Sequence, residues 1–233
     1  MLNVGLTGSI ACGKSTVAQM FVEKGAFHID FDRLAHVVEE PGQPAWRQIV
    51  DYFGSDILNP DRTINRTQLG SIVFEDKEKL TKLNSIVHPA VFAAWHHRID
   101  EIKKTKPDAI ILSDVPLLIE AGMQSSVDVV VLVYISPVEQ IQRLMTRNGC
   151  SREEAEVRFA AQMSIDDKLQ YAHIVINNQG TMEETREMVD RGNSCTPCRH
   201  GACRRFSDAV DHWCEWGNDP GIRPGRMGGE HEL

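Results

Sequence analysis

Short apolar runs alternate with amphipathic stretches along the first 190 residues of the chain, and glycine-bearing or polar segments separate them. Five of the runs are short and predict strands, and two of them, residues 109–112 and 127–135, are continuous and rich in β-branched residues, as is typical of strands buried on both faces. The predicted strands cover residues 2–6, 26–29, 109–112, 127–135 and 174–176. Because helical patterns fall between them, the sequence indicates an α/β fold with a mostly parallel five-stranded sheet.

The apolar positions between the strands recur at helical spacing. They predict helices over 14–23, from Leu34 to the Pro41-Gly42 turn, over 46–53, from Asn65 toward Phe74, over 77–87 and over 90–104. Ser136, Ser151 and Thr181 each precede an acidic residue by three positions, a pattern that starts further helices. His88-Pro89 is expected to end one helix before the next begins. The helix-rich stretch from about 45 to 104 is too long for a plain crossover, so we expect a helical insertion there.

A glycine-bearing segment follows the first predicted strand directly. Residues Gly8 to Ser15 (GSIACGKS) fit the pattern G-x-x-x-x-G-K-[ST], with a predicted helix after them. Such a loop turns successive backbone N–H groups inward at phosphate oxygens, and the helix N-terminus adds positive potential. Lys14 would reach the β- and γ-phosphates, the Ser15 hydroxyl would bind Mg²⁺, and Thr16 would bond the α-phosphate. The alternative is an ordinary glycine turn that caps a helix.

Other candidate groups follow strands or share a helix face. Asp30 and Asp32 follow the second strand, where a carboxylate could take a proton from a hydroxyl, or could merely cap a helix. Asp114 follows the third strand and is a second candidate for holding Mg²⁺, although it could simply occupy a turn. Arg143 and Arg147 lie four residues apart on one helix and could cover a transferring phosphate, or form a solvated face.

Composition narrows the class of protein. The chain has 233 residues, of which 42% are hydrophobic and 25% charged, which excludes a collagen, a disordered chain and a membrane bundle. A net charge of −8 argues against bulk nucleic-acid or anionic-membrane partners. Met1 is followed almost at once by a predicted strand, without a signal-type segment, so we expect a cytoplasmic protein. We expect a monomer, with an oligomer as the alternative.

Six segments in order resemble the dephospho-CoA kinase family, over about residues 1–188. They are VGLTGSIACGKSTV, HIDFDRLAHVVEEPG, NSIVHPAV, SDVPLLIEAG, the helix that carries Gln140, Arg143 and Arg147, and IVINNQG. The resemblance implies a P-loop NTPase-type three-layer fold, with a helical acceptor-binding insertion and a lid over about residues 140–165. It also implies transfer of the ATP γ-phosphate to the ribose 3′-hydroxyl of dephospho-CoA, the last step of CoA biosynthesis, with Mg²⁺.

The same resemblance implies roles for individual residues. The catalytic residues would be Asp32 as the base, with Lys14 and Arg143. The ATP-binding residues would be Gly8, Ala11, Cys12, Gly13, Lys14, Ser15, Thr16, Arg147, Asn177 and Gly180. The acceptor would meet Asp32, His88, Pro89, Leu117, Leu118 and Glu120. His88 could instead be a structural hydrogen-bond donor. The family often has an Asp before the Asn pair at 177–178, where this chain has Ile176. The segment expected to contact adenine therefore departs from the family pattern.

The last part of the chain, residues 189–233, differs from the usual C-terminal helix of the family. Four of the six cysteines lie there, whereas the last lysine of the chain is Lys168. A segment so poor in branched aliphatic residues is expected to be a flexible appendage. One alternative is a zinc site built on Cys195, Cys198, Cys203 and Cys214, although ten residues separate the members of the second pair. Another is a sequence shifted in frame near residue 189.

Two other functions remain open on the sequence alone. One is a P-loop kinase for another nucleotide or small hydroxyl acceptor. The other is a non-catalytic, nucleotide-dependent regulator that uses its tail to bind a nucleic acid or a protein. A GTPase is disfavoured because the guanine-binding pattern N-K-x-D is absent.

Overall fold

The computed structural model describes residues 1–191 of the chain, which form five strands together with helices. The strands are β1 (Leu2–Gly8), β2 (Phe27–Asp30), β3 (Ile110–Asp114), β4 (Val129–Tyr134) and β5 (Ile174–Asn177). The helices are α1 (Lys14–Glu23), α2 (Phe31–Val38), α3 (Pro44–Phe53), α4 (Arg66–Glu75), α5 (Lys77–Thr105), α6 (Pro137–Asn148), α7 (Arg152–Ala160), α8 (Ile165–Lys168) and α9 (Met182–Arg191). The predicted α/β class is confirmed.

The strand order β2-β3-β1-β4-β5 places the first strand at the centre of the sheet. Strand β1 pairs in parallel with both β3 and β4, and β4 pairs in parallel with β5. In this register Leu6 lies opposite Asp114, and the Val115 N–H donates to the Leu6 carbonyl at 3.0 Å. The carboxyl ends of β1 and β3 therefore meet beside the glycine-bearing loop, where parallel sheets commonly bind ligands.

The described part of the chain divides into two compact units, of which the first contains residues 1–28 and 108–191. Every residue of β1 and β3 is buried, which explains why their sequences are continuous apolar runs. On one face, Val4 and Leu6 join a core with Val17 and Phe21 of α1. On the other, a Cβ at Gly5 would overlap the Leu118 side chain. Both faces of the strand are thus packed, as in a three-layer fold.

The second unit, Ile29–Pro107, is helical. Its helices α2, α3 and α4 each contact the long helix α5. Trp95 of α5 is wholly buried, and its ring meets Phe31 of α2 edge-on, with 5.3 Å between centroids. Arg66 pairs with Glu39 at 2.7 Å, which ties the start of α4 to the end of α2. The helices of this unit therefore pack around a buried aromatic residue of α5, and an ion pair adds a contact between the end of α2 and the start of α4.

Helix α5 corrects one prediction from the sequence. His88-Pro89 does not end a helix, because α5 runs without interruption from Lys77 to Thr105 with Pro89 inside it. Proline removes one backbone hydrogen bond from a helix interior. Ile86 lies before Pro89, and Val91 and Trp95 lie after it, and all three side chains are buried. Their packing holds the helix together across the missing hydrogen bond. Tertiary packing therefore outweighs the local signal.

Residues 192–233 lie outside the described part of the chain, and with them the zinc alternative and all but the first three residues of the predicted appendage. Those three residues belong to α9, and Val189 is buried, so the prediction of a flexible appendage is wrong for residues 189–191. Among residues 1–191, no helix is both long and apolar enough to cross a membrane. Within that same part, no three His, Cys, Asp or Glu side chains are grouped so as to hold a metal ion.

Candidate active site

The loop between β1 and α1 has the backbone conformation that phosphate binding requires. Ala11 and Gly13 have φ angles of 60° and 82°, in the left-handed region. This alternation of backbone conformations is what turns consecutive N–H groups toward an anion. Gly13 precedes α1, and no side chain caps that helix end. The first N–H groups of α1 are therefore available to an anion.

Two glycines of the loop, Gly8 and Gly13, lie close to neighbouring side chains, and Gly13 also has a left-handed backbone conformation. A Cβ at Gly13 would overlap the side-chain amide of Asn178, and one at Gly8 would overlap the Cys12 thiol. Cys12 is buried, and its N–H donates to the Ser9 carbonyl at 3.2 Å. Its thiol therefore fills space beneath the loop, as expected for a small filler.

Lys14, Asp114 and His28 form a charged cluster at the carboxyl ends of the strands. The Lys14 ammonium pairs with Asp114 Oδ1. His28 Nε2 lies 3.3 Å from Asp114 Oδ2. Burial raises the pKa of Asp114, but the hydrogen bond with His28 and the charge of Lys14 outweigh it, so that this pKa lies below its ordinary value. Asp114 is therefore a carboxylate at neutral pH. The sequence singled out two members of this cluster and missed His28.

Arg143 reaches the same end of the sheet from α6, while Arg147 does not. Helix α6 starts as predicted, with the Ser136 hydroxyl accepting from the Glu139 N–H. Arg143 Nη2 donates to the Asn178 carbonyl at 2.9 Å, and its Nε donates to Glu139 at 2.9 Å. Arg147 is exposed and its Nε donates to the neighbouring Asn148. Of the two arginines, Arg143 is thus the one held beside the loop.

Asn178, which the sequence passed over in favour of Asn177, holds the loop in place. Its Nδ2 donates to the Cys12 carbonyl at 2.8 Å, and its Oδ1 accepts from Thr185 Oγ1 at 3.0 Å. Asn177 is exposed, and its Oδ1 accepts from the Gln179 N–H. The strand period would have found the correct residue, because 174, 176 and 178 share the buried face.

Gly180 lies where the chain turns into α9. The Thr181 N–H donates to Glu184 Oε2 at 2.7 Å, and the Glu184 N–H donates back to Thr181 Oγ1. A Cβ at Gly180 would overlap that Glu184 carboxylate. A side chain at this position would therefore have to displace the Glu184 carboxylate from the helix cap. A shallow groove of about 300 Å³ runs beside it, lined by Ser15, Thr16, Gln19, Met20, Glu23, Met182 and Arg186.

The segment after β3 carries three residues that were expected to meet the acceptor. Leu117 is exposed. Leu118 is wholly buried, because it fills the space that Gly5 leaves above β1, so its role is packing rather than acceptor contact. Glu120 pairs with Lys168 at 2.8 Å. Lys168 and Gln162, whose Oε1 accepts from the Ile10 N–H at 2.9 Å, were both missed by the sequence.

In the second unit Asp30, the last residue of β2, and Asp32 of α2 have different surroundings. Asp30 Oδ1 accepts from the N–H groups of Asp32 and Arg33 at 2.8 and 3.1 Å, so Asp30 caps α2. Asp32 is exposed in the first turn of α2, and among the described residues of this unit its carboxylate has no hydrogen-bond partner. His88 and Pro89 are exposed on α5. The cap and the candidate base are therefore different residues.

A comparison with sequence models of known protein families gives a match that includes the residues of this site. The sequence model of the family "Dephospho-CoA kinase" matches residues 2–184, which include the loop, Asp114, Arg143 and Asn178. The chain belongs to the dephospho-CoA kinase family. The match ends at residue 184, close to the end of the segment over which the sequence resembles this family.

Individual relatives give the same result. A dephospho-CoA kinase of Syntrophus aciditrophicus is 62% identical over 191 residues, 82% of this chain and 81% of that protein. One of Symbiobacterium thermophilum is 39% identical over 236 aligned residues, which cover 97% of this chain and 98% of that protein. This alignment therefore extends beyond residue 191 of this chain. The solved dephospho-CoA kinase of Campylobacter jejuni is 28% identical, with a TM-score of 0.63 over 80% of this chain and 92% of that one.

Proposed function

We propose that the protein transfers the γ-phosphate of ATP to the ribose 3′-hydroxyl of dephospho-CoA, giving CoA and ADP. The observation that carries the proposal is the family match over residues 2–184, combined with a phosphate loop whose geometry is intact in this chain. Residues 1–188 would act as one kinase domain with a helical insertion over about 45–104 and a lid over about 140–165. Its reactants are small molecules, so no nucleic acid or membrane is needed, and we expect a cytoplasmic monomer.

The chain offers positive groups where charge develops during transfer. Lys14 would bind the β- and γ-phosphate oxygens, while the Ser15 N–H and the Thr16 hydroxyl at the start of α1 would donate to further phosphate oxygens. Arg143, held by the Asn178 carbonyl, would stabilise the transferring phosphoryl group. Arg147, Asn177 and Gly180 would lie further along the nucleotide, as the family resemblance implies.

The proton and the bonds balance with Asp32 as the base. The ribose 3′-oxygen forms a bond to the γ-phosphorus, and the bond from that phosphorus to the β–γ bridging oxygen breaks. The electron pair of the broken bond stays on ADP, and the hydroxyl proton goes to the Asp32 carboxylate. An exposed carboxylate that has no partner within its own unit suits this role. His88, Pro89 and Leu117 would contact the acceptor.

The donor set fits magnesium. Ser15 offers a hydroxyl and Asp114 an ionised carboxylate, and Mg²⁺ prefers such hard oxygen ligands. Ser15 and Asp114 would hold the ion, which would neutralise charge on the bound phosphates. Both Asp114 oxygens already have basic partners, Lys14 and His28.

A coupled assay of ADP release tests the proposal. Purified protein receives Mg-ATP with dephospho-CoA, with other nucleosides and small alcohols, or with no acceptor. We expect ADP release that depends on dephospho-CoA. Equal stimulation by another acceptor would favour a different P-loop kinase. Tight ATP binding without release under any condition would favour a regulator.

A further inference from the structure

Lys168 is the one described lysine that is wholly buried, and the proposed chemistry does not use it. Its Nζ donates to the Gly8 carbonyl at 3.2 Å and pairs with Glu120 Oε1 at 2.8 Å. Removing an ammonium from water is costly, and a buried cation persists where hydrogen bonds and a counter-ion hold it. The two partners of Lys168 therefore indicate what it is there to hold.

The first partner belongs to the phosphate loop. Gly8 ends β1 and begins the loop, and two residues further on the Ile10 N–H donates to Gln162 at 2.9 Å. Residues 162–168 thus contact the loop twice, once at a carbonyl and once at an N–H group. A carbonyl bonded to an ammonium is kept from turning toward an anion. These contacts fix the peptide orientation at the start of the loop, ahead of the N–H groups that would face a phosphate.

The loop needs such support because part of it is strained. Ala11 has a φ of 60°, which a residue with a Cβ adopts only where its surroundings hold it. The charge of Lys168 also reaches the loop interior. Burial raises the pKa of the Cys12 thiol, and the Lys14 backbone and the charges of Lys14 and Lys168 oppose that rise. Lys168 therefore lies close beneath the loop.

The second partner gives Glu120 a role that differs from acceptor binding. Glu120 lies in the segment after β3, and its side chain is 21% exposed while that of Lys168 is 0% exposed. It supplies the negative charge that makes a buried ammonium tolerable. The pair also joins the loop to the segment that follows Asp114.

From these contacts we infer that Lys168 is a positioning residue of the phosphate loop and that Glu120 is its counter-ion. Lys168 touches neither substrate in this account. It acts by holding the Gly8 carbonyl, so that the loop is organised before the nucleotide arrives. The inference rests on the proposed use of ATP by this loop.

The test compares ATP binding, without any acceptor, in variants of the full chain. Lys168→Met keeps the apolar stem and removes the donor, Lys168→Arg keeps the charge, and Glu120→Gln keeps the shape of the counter-ion. Val189→Ala is the stability control, since Val189 is buried in the same unit on α9. Melting temperature and the dissociation constant for ATP, by calorimetry well below melting, are measured for each.

We expect Lys168→Met to weaken ATP binding by about tenfold or more, a difference that corresponds to ~1.4 kcal/mol. Lys168→Arg should restore binding to within threefold of the wild type. Glu120→Gln should weaken binding in the same direction, and the double variant Lys168→Met/Glu120→Gln should bind no worse than Lys168→Met alone, because the two residues act as one unit. KM for ATP should rise more than kcat falls.

Three results would overturn the inference. The first is ATP binding by Lys168→Met within threefold of the wild type. The second is an equal loss of binding in Val189→Ala at a matched loss of melting temperature, which would make the effect one of stability. The third applies if Lys168→Met does not fold, in which case wild-type ATP affinity of Glu120→Gln would overturn the inference. ADP release by the wild type with dephospho-CoA is measured in parallel, so that a failure of the proposed function is seen separately.

Discussion

Replacing Asn178 by alanine should loosen the phosphate loop and lower stability at once. The change removes the donor to the Cys12 carbonyl and the acceptor for the Thr185 hydroxyl. The single hydrogen of the Thr185 hydroxyl can be donated instead to the Thr181 carbonyl, 3.1 Å away, so the loss of the Asn178 acceptor is largely compensated. The Cys12 carbonyl loses this buried partner, at a cost of ~1–3 kcal/mol. A cost of about 2 kcal/mol lowers the melting temperature by about 4–8 °C in a chain of this size.

The neighbouring Asn177 provides a matched control, because Asn177→Ala makes the same chemical change at an exposed site. Its effect on stability should stay within about 0.5 kcal/mol. Thermal unfolding by circular dichroism and ATP titration of both variants check the prediction. If the full cost of Asn178→Ala fell on the loop, ATP binding would weaken by up to ~30-fold. Equal melting temperatures and equal ATP affinities for the two variants would refute the reasoning.

Four further predictions follow from single contacts. Gly13→Ala should reduce ATP binding by at least tenfold with little change in circular dichroism, since its Cβ would overlap the Asn178 amide. Asp32→Asn should abolish transfer while ATP titration still gives wild-type affinity; wild-type turnover would exclude it as the base. Asp114 has a pKa below its ordinary value of ~3.9, so it stabilises the fold above about pH 4 and this contribution is lost as the pH falls further. Unfolding free energies of the wild type and Asp114→Asn should therefore differ at pH 7 and converge in acid. Trp95→Ala should cost ~3–5 kcal/mol in denaturant unfolding, because the ring is wholly buried, and a loss below 1 kcal/mol would contradict that packing.

Local patterns were sufficient for most of the fold. The loop, the bounds of α1 and the starts of α6 and α7 follow from glycine spacing and from capping residues, which act over three or four positions. Helix α5 was divided wrongly at Pro89, since the residues that hold the helix together there do so through tertiary packing. A proline signal concerns the backbone alone and carries no information about burial on either side of it.

The candidate site was predictable only where its chemistry lies in a motif. Lys14 and Asp114 could be found because each follows a strand in a recognisable pattern. Lys168 could not, because its contact with Gly8 joins residues 160 positions apart and a lysine in a polar segment is ordinarily exposed. Leu118 was assigned to the acceptor although it fills the space above Gly5, a role that only the packed structure reveals.

The most direct test of the account is the identity of the product formed from Mg-ATP and dephospho-CoA. Mass spectrometry and phosphorus NMR of the product should show one added phosphate, on the ribose 3′-oxygen, with one ADP released for each product molecule. Phosphate on any other atom, or ADP release without a phosphorylated acceptor, would contradict the proposed reaction.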